Sequence, residues 1–182
     1  MGVAPAPSLV LNVENLAAVR GLRVLFEELS FRVSGGEVLE LRGPNGSGKS
    51  TLLRILAGLT RQHAGTVTYS AGEDDAPHHY LGHADAVKPT ESAAAQARFW
   101  ASYFGRPAVA ATEALDRTGL SQRAEVPGRG LSAGQKRRLA LTRLLIDPRP
   151  VWLLDEPTAA LDLEGRKLVA DLIAEHRATG GM

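Results

Sequence analysis

The sequence predicts an α/β fold in which a mostly helical segment interrupts the sheet. A glycine-rich stretch at residues 43–48 lies between a short apolar run and a helix-forming segment. Val151–Leu154 is continuously apolar, which is typical of a strand buried on both faces. Between these two features, residues 91–117 are rich in alanine with apolar residues at helical spacing. The length of 182 residues predicts one domain, at about 150 residues per domain.

Apolar periodicity and stop signals then predict the elements in order. Alternating apolar residues predict strands at Leu9–Asn15 and Val24–Val33, and a third strand is expected at Val38–Arg42. A helix is expected at Lys49–Ala57, because Gly58 follows as a stop. The other predicted elements are strands at Thr66–Ser70, Tyr80–Gly82 and Val151–Leu154, and helices within 91–117 (broken at 105–107), at Ser132–Ile146 and at Leu163–Ala178. Residues 1–8 and 72–77 are expected to be irregular.

Composition excludes several classes of function. Hydrophobic residues make up 44% and charged residues 23%, which is ordinary for a globular chain. The sequence has no cysteine, so disulfides, Cys-ligated zinc and iron–sulfur clusters are excluded. The net charge of +1 gives no indication of a nucleic-acid partner. No segment approaches the roughly 20 apolar residues that cross a bilayer, so work at a membrane would need another chain.

A phosphate-binding loop is the strongest motif. Residues 43–50, GPNGSGKS, match the pattern G-x-x-x-x-G-K-[ST] between a predicted strand and a predicted helix. Such a loop turns backbone N–H groups towards a polyphosphate at a helix N-terminus. We expect Lys49 to reach the β- and γ-phosphates, Ser50 to bind Mg²⁺ and Thr51 to lie near the α-phosphate. The candidate nucleotide-binding residues here are Gly43, Pro44, Asn45, Gly46, Ser47, Gly48, Lys49, Ser50 and Thr51.

Two carboxylates end the apolar run at 151–154. Ligands bind beyond the carboxyl ends of strands in open α/β sheets. Asp155 is therefore expected to hold Mg²⁺, and Glu156 to orient and deprotonate the water that attacks ATP. Acids at a strand end also cap a following helix in many proteins, and the phosphate-binding loop is what favours the catalytic interpretation.

The stretch LSAGQ at residues 131–135 opens a basic helix. Ser132 suits an ordinary helix N-cap, and the same helix start suits an anion. Together with GPNGSGKST before it and LLDEPTAALD after it, LSAGQ resembles the ATP-binding-cassette (ABC) ATPases, whose signature is LSGGQ. The resemblance covers the chain from Leu9 to Met182.

This resemblance implies a fold and a division of the chain. The family has a P-loop NTPase (RecA-like) core sheet, an N-terminal antiparallel β portion and a helical insert that carries the signature. We expect a single ABC ATPase domain over residues 1–182, truncated at its C-terminal end. Residues 1–88 and 147–182 would form the nucleotide-binding core, and residues 89–146 the helical subdomain.

The resemblance also implies an assembly. Ser132, Ala133, Gly134 and Gln135 would contact the γ-phosphate of ATP held by a second ATP-binding subunit. Residues 159–162 match the D-loop, which crosses the interface of a head-to-tail dimer around two ATP molecules. Integral membrane subunits on other chains would form the transporter, with this chain peripheral on the cytoplasmic face of the inner membrane.

A narrower resemblance concerns the ATP-binding subunits of haem exporters in cytochrome c maturation. It rests on YLGH at 80–83 with Lys88 after it, and on LLRILAGLTRQHAGTV, LSAGQKRRLALTRLL and VWLLDEP. It implies ATP hydrolysis that drives haem export, with no direct contact between this chain and haem. The alternatives are a subunit of another exporter, a soluble ABC protein that acts on ribosomes or DNA, and a module that holds ATP without turnover.

The sequence departs from the family in three places. His83 stands where most members have a glutamine near the Mg²⁺ and the water, so we expect it to assist catalysis and metal binding; a solvated loop histidine is the alternative. No aromatic residue matches the one that stacks on adenine, and the guanidinium of Arg20 is the expected substitute. Phe26 is the alternative there, although its periodicity suits the core.

The family's switch histidine would lie beyond Met182, and His176 does not match it, so weak hydrolysis is expected without it.

Two further sets of side chains leave their roles open. Arginines on one side of the predicted helix at 132–146 are expected to form a solvated basic face: Arg137, Arg138 and Arg143. Four aromatic residues cluster in the helical insert: Phe99, Trp100, Tyr103 and Phe104. They either dock a membrane subunit or pack the core of the insert.

Overall fold

The computed structural model describes residues 9–70 and 78–182, so the stretches expected to be irregular at 1–8 and 72–77 lie outside the described residues. The chain divides into two compact units. The first comprises residues up to 80, 150–155 and 174–182, and the second comprises residues 81–149 and 156–173. Among the helices of the described ranges, none has the length and apolar character that crossing a membrane requires.

The first unit contains an antiparallel sheet of three strands in the order β2-β1-β3. The strands are β1 (Val10–Arg20), β2 (Arg23–Ser34) and β3 (Ala64–Tyr69). Val13 of β1 lies opposite Phe31 of β2 and Val67 of β3, so apolar side chains share one face of the sheet. The sheet is the antiparallel portion that the sequence predicts, with a longer first strand.

A second pair of strands and a helix complete the first unit's core. β4 (His78–Leu81) pairs with β5 (Val151–Leu154), and α1 spans Lys49–Leu56. Leu52 and Ile55 of α1 pack in one apolar cluster with Leu153 of β5 and with residues of β1. The strand that precedes Asp155 and the helix that begins at Lys49 therefore share a core.

The predicted strand at Val38–Arg42 is wrong. The structure assigns no strand between residues 37 and 44, and no described strand pairs with this segment. Val38 is 55% exposed and Leu39 is 49% exposed. An apolar run becomes a strand only where a neighbouring strand satisfies its backbone N–H and C=O groups. At β5, Met182 supplies such backbone partners: its carbonyl accepts from the N–H of Trp152, and its N–H donates to the Pro150 carbonyl. For the segment at 38–42, no described strand supplies them.

The second unit is a helical assembly. Its helices are α2 (Ala93–Tyr103), α3 (Ala108–Arg117), α4 (Ala133–Ile146) and the first part of α5 (Leu163–Ala178). The break between α2 and α3 falls at Gly105, whose φ of 65° is left-handed, as the sequence predicts. Buried alanines such as Ala97 and Ala111 line the α2–α3–α4 core, and their small side chains allow the helices to approach closely.

Asp147 is the C-cap residue of α4, and its carboxylate lies between two arginines. Asp147 is buried, and its Oδ1 accepts hydrogen bonds from Arg106 Nε at 2.9 Å and Nη2 at 2.7 Å. Arg149 Nε donates to Asp147 Oδ2 at 2.8 Å. Burial raises the pKa of Asp147, but the hydrogen bonds from Arg149 and Arg106 outweigh burial, so the pKa lies below its ordinary value.

We expect Asp147→Asn to lower the free energy of unfolding by about 1–3 kcal/mol at neutral pH, because it removes charged hydrogen bonds. Because the native pKa is lowered, the carboxylate stabilises the fold fully above the unfolded pKa of about 3.9. This stabilisation is lost as the pH falls through the native pKa. Urea unfolding between pH 3 and pH 7 measures both effects. Equal pH profiles for the wild type and Asp147→Asn would contradict this account.

Candidate active site

The phosphate-binding loop lies in the first unit, where the glycines adopt the backbone conformations that its motif requires. Gly46 has a φ of 77° and Gly48 a φ of 99°, both in the left-handed region that glycine tolerates. Gly48 is the N-cap residue of α1, and no side chain caps this end of the helix. The first backbone N–H groups of α1 are thus open to an anion, as the motif predicts.

Lys49 contacts the loop's own backbone. Its Nζ donates to the carbonyl oxygens of Gly43 and Pro44, each at 2.8 Å. Both acceptors are neutral, so a phosphate oxygen would give the ammonium a stronger, charge-assisted partner. The geometry therefore suits exchange of these carbonyls for the phosphates of a nucleotide.

Oxygen donors suited to Mg²⁺ lie in the same unit. The Ser50 hydroxyl belongs to an exposed residue in the first turn of α1, and the Asp155 carboxylate is buried at the end of β5. Burial raises the pKa of Tyr80 on β4, and the negative charge of Asp155 raises it further. A hydroxyl and a carboxylate are the hard ligands that Mg²⁺ prefers, so these residues fit the ion. Thr51 is half-buried beside Ser50.

The two candidates for contact with adenine occupy different environments. Arg20 is exposed at the end of β1, opposite Arg23 in the β1–β2 hairpin. Phe26 is partly buried against the first unit's core, and its Cδ1 lies 3.1 Å from where a Cβ on Gly48 would be. Phe26 thus packs as its periodicity indicates, and stacking by Arg20 stays a prediction.

In the second unit, the structure brings together His83 and Glu156, which are far apart in the sequence. His83 Nδ1 lies 3.2 Å from Glu156 Oε2, and their side chains are 75% and 54% exposed. Glu156 adopts a φ of 50°, which residues other than glycine rarely adopt. An imidazole beside one oxygen of a solvent-accessible carboxylate leaves the other oxygen free to accept from a water.

The signature stretch forms a capped helix start. The Ser132 hydroxyl accepts from the Gln135 N–H at 3.2 Å, and Gln135 Oε1 accepts from the Ser132 N–H at 3.0 Å. Ala133 is exposed, and a Cβ on Gly134 would lie 3.0 Å from the Ala160 carbonyl oxygen. The ordinary N-cap interpretation therefore applies, and it is compatible with an anion at the exposed end of α4.

The segment matched to the D-loop contacts α4 and α5. Ala160 has a φ of 60°, and Asp162 Oδ1 accepts from the Gly165 N–H at 2.8 Å in the first turn of α5. Arg138 Nη2 lies 3.3 Å from Asp162 Oδ1. The hydrogen bond from Gly165 and the charge of Arg138 hold the pKa of Asp162 below its ordinary value.

The expected solvated basic face on α4 is wrong: the Arg138 side chain is 14% exposed, and the Arg143 guanidinium lies 5.2 Å from the centre of the Trp100 ring. The most deeply buried of the three arginines is Arg137. Its side chain is 2% exposed and donates to two loops of the second unit. Leu141 and Leu144 are also buried, so Arg137 falls on the apolar stripe of α4 at spacing i, i+4, i+7. That spacing is the signal that marks Arg137 as an inward-facing residue.

The aromatic cluster of α2 divides into inner and outer residues. Trp100 and Phe104 pack against the helical core, whereas Phe99 is 47% exposed and Tyr103 is 69% exposed. Neighbouring ring centroids lie 5.2 to 6.2 Å apart. Lys88 Nζ lies 5.0 Å above the Phe99 ring. Core packing thus accounts for the inner pair, and the outer pair forms an exposed apolar surface.

Comparisons with known proteins agree with these features. The ABC transporter family model matches residues 26–159. A protein of Paramagnetospirillum magneticum named cytochrome c biogenesis ATP-binding export protein CcmA is 52% identical, over 94% of this chain and 84% of that protein. The protein of the same name from Hyphomonas neptunium is 46% identical, over 100% of this chain and 90% of that protein.

Solved structures show the same fold. A protein of Pyrococcus furiosus named putative ABC transporter (ATP-binding protein) has a TM-score of 0.82 at 22% identity, over 94% of this chain and 88% of that one. A bacterial Atm1-family ABC exporter with ATP bound has a TM-score of 0.80 at 22% identity, over 96% of this chain and 33% of that one.

Proposed function

Because the chain belongs to the ABC transporter family, we propose that it binds and hydrolyses ATP to drive an export step of cytochrome c biogenesis. One structural observation carries the mechanism: the 3.2 Å contact between His83 and Glu156. The relatives' names favour an exporter over a soluble ABC protein that acts on ribosomes or DNA. The carboxylates at 155 and 156 favour turnover over passive retention of ATP.

In this proposal, the loop at 43–51 binds the phosphates of ATP. Lys49 Nζ leaves the carbonyls of Gly43 and Pro44 for the β- and γ-phosphates, while backbone N–H groups of the loop bind the remaining oxygens. Ser50 and Asp155 would hold Mg²⁺, which when bound neutralises phosphate charge that develops during transfer. Arg20 would stack on the adenine.

Glu156 acts as the base. One carboxylate oxygen accepts a proton from the attacking water, while His83 holds the other through Nδ1. His83 as a direct metal ligand stays a prediction, and it would use Nε2, because Nδ1 faces Glu156.

A second ATP-binding subunit completes each site in the proposed dimer. The exposed start of α4, at Ser132 to Gln135, would meet the γ-phosphate bound to that subunit, with backbone N–H groups as donors. Residues 159–162 would lie at the interface between the two subunits. The arrangement makes hydrolysis dependent on closure of the dimer.

Membrane subunits on other chains would form the export path. The exposed apolar surface of Phe99 and Tyr103 supports docking to such a subunit, because exposed aromatic residues are enriched at protein interfaces. The chain would then be peripheral, on the cytoplasmic face of the inner membrane. Haem is the proposed cargo, since cytochrome c assembly requires it, and it would pass through the membrane subunits without contact with this chain.

Deletion of the gene in its own host tests the function. We expect the deletion strain to lose haem-containing cytochrome c, as measured by haem staining, while the amount of apocytochrome stays unchanged. The wild-type gene should restore the stain, and a gene with Glu156→Gln should not. Normal haem staining in the deletion strain would contradict the proposed role.

A further inference from the structure

Two loops of the second unit converge on the guanidinium of one buried arginine. Arg137 Nη1 donates to the Gly82 carbonyl at 2.8 Å and to Asp85 Oδ1 at 3.0 Å. Arg137 Nη2 donates to the Glu156 carbonyl at 2.7 Å, and Nε donates to the Pro157 carbonyl at 3.3 Å. One side chain thus joins the loop after β4 to the loop after β5.

The chemistry of arginine makes this connection rigid. A guanidinium is planar and presents its N–H donors in a fixed fork, so four acceptors in two loops define one geometry. The Arg137 side chain is 2% exposed, which keeps water from replacing those acceptors. The Asp85 carboxylate supplies the negative partner that a buried charge needs.

The loops that Arg137 joins carry the two residues proposed for hydrolysis. In the sequence, His83 lies between Gly82 and Asp85, which both accept hydrogen bonds from Arg137. The carbonyl of Glu156 also accepts a hydrogen bond from Arg137. Glu156 also holds a φ of 50°, a conformation that persists only where surroundings enforce it. The bond from Arg137 to the Glu156 carbonyl is such an enforcing contact.

We propose that Arg137 is a positioning residue for ATP hydrolysis, which sets the distance between His83 and Glu156 by fixing the backbones that carry them. The inference rests on the proposed function, because it assigns a role relative to the proposed base. The acceptors described for Arg137 lie in the loops that carry His83 and Glu156, so the role proposed for it concerns hydrolysis.

Substitution of Arg137 in the intact chain, assembled with its membrane subunits, tests the proposal. We expect Arg137→Met to lower kcat by about 10- to 100-fold, because small displacements of reacting groups cost that much. The Kd for ATP should stay within about threefold of the wild-type value. Arg137→Lys, which keeps the charge but not the fork, should give an intermediate kcat, and it serves in place of Arg137→Met if that variant fails to fold.

Thr142→Ala is the matched control on the same helix. Thr142 is fully buried and its hydroxyl donates to the Leu139 carbonyl at 2.6 Å, so its loss destabilises α4 and leaves the hydrogen bonds of Arg137 in place. We expect Thr142→Ala to lower the Tm and to leave kcat near the wild-type value. An equal loss of kcat in Thr142→Ala at a matched loss of Tm would overturn the proposal.

A double-mutant cycle with Glu156→Gln separates the possible failures. If Arg137 acts through Glu156, Arg137→Met should not reduce the residual rate of Glu156→Gln further. A full additional loss in the double variant would overturn the positioning role. If Arg137→Met kept the wild-type kcat while Glu156→Gln was inactive, the positioning role would also be overturned, and the proposed function would stand. Unchanged turnover in Glu156→Gln would instead contradict the proposed base.

Discussion

Replacement of Glu156 by glutamine is expected to lower the rate of ATP hydrolysis by about 10²- to 10³-fold, with ATP binding retained. The carboxylate lies 3.2 Å from His83 Nδ1 with half of its side chain exposed, so a water can reach the free oxygen. An amide of nearly equal size keeps the contact with His83 but accepts no proton. Phosphate release measures kcat, and a fluorescent ATP analogue measures binding.

Glu164→Gln is the control for Glu156→Gln. Glu164 is an exposed acid of the same unit, 3.8 Å from Arg138, and it has no proposed part in the reaction. Its replacement should leave kcat and Kd at wild-type values. If the two glutamine variants hydrolysed ATP equally fast, Glu156 would not be the base.

Replacement of Lys49 by methionine should weaken ATP binding by about 10- to 100-fold, as expected for a lost hydrogen bond to a charged group. Hydrolysis should fall to background, because the lysine also stabilises charge on the transferred phosphoryl group. The variant loses two bonds from Nζ to loop carbonyls of exposed residues, so its Tm should change little.

Lys167→Met is the control for Lys49→Met. Lys167 is 76% exposed, and it pairs with Asp171 at 2.7 Å on the surface of α5. A surface pair of this kind contributes little to stability. Equal ATP affinities for the two methionine variants would show that Lys49 does not bind the phosphates.

The predicted family and the α/β fold class are confirmed, and the reason is local. The phosphate-binding motif predicts the start of α1, because it places glycines at 46 and 48, where the backbone adopts left-handed φ values. Helix α5 falls at Leu163–Ala178 as the apolar spacing predicts. Signals within a few residues of one another therefore predicted these elements.

What the sequence did not predict depends on distant partners. Val38–Arg42 has the composition of a strand, but a strand also needs a neighbour, and no described strand pairs with it. The contact between His83 and Glu156 joins two loops that the chain separates by the helical segment, and only the family resemblance placed His83 near the water that Glu156 is expected to orient. Arg137 shares the spacing of the buried leucines of α4, but its charge favours a surface position in the sequence. The acceptors that allow its burial, at Gly82, Asp85 and Glu156, come from distant loops.

Calorimetric titration of ATP with Mg²⁺ into the intact chain tests the central claim most directly, namely that the loop around Lys49 binds the nucleotide's phosphates. We predict saturable heat that corresponds to one nucleotide per chain, strongly reduced in Lys49→Met. An absence of heat in the wild-type protein, or undiminished binding in Lys49→Met, would contradict the claim.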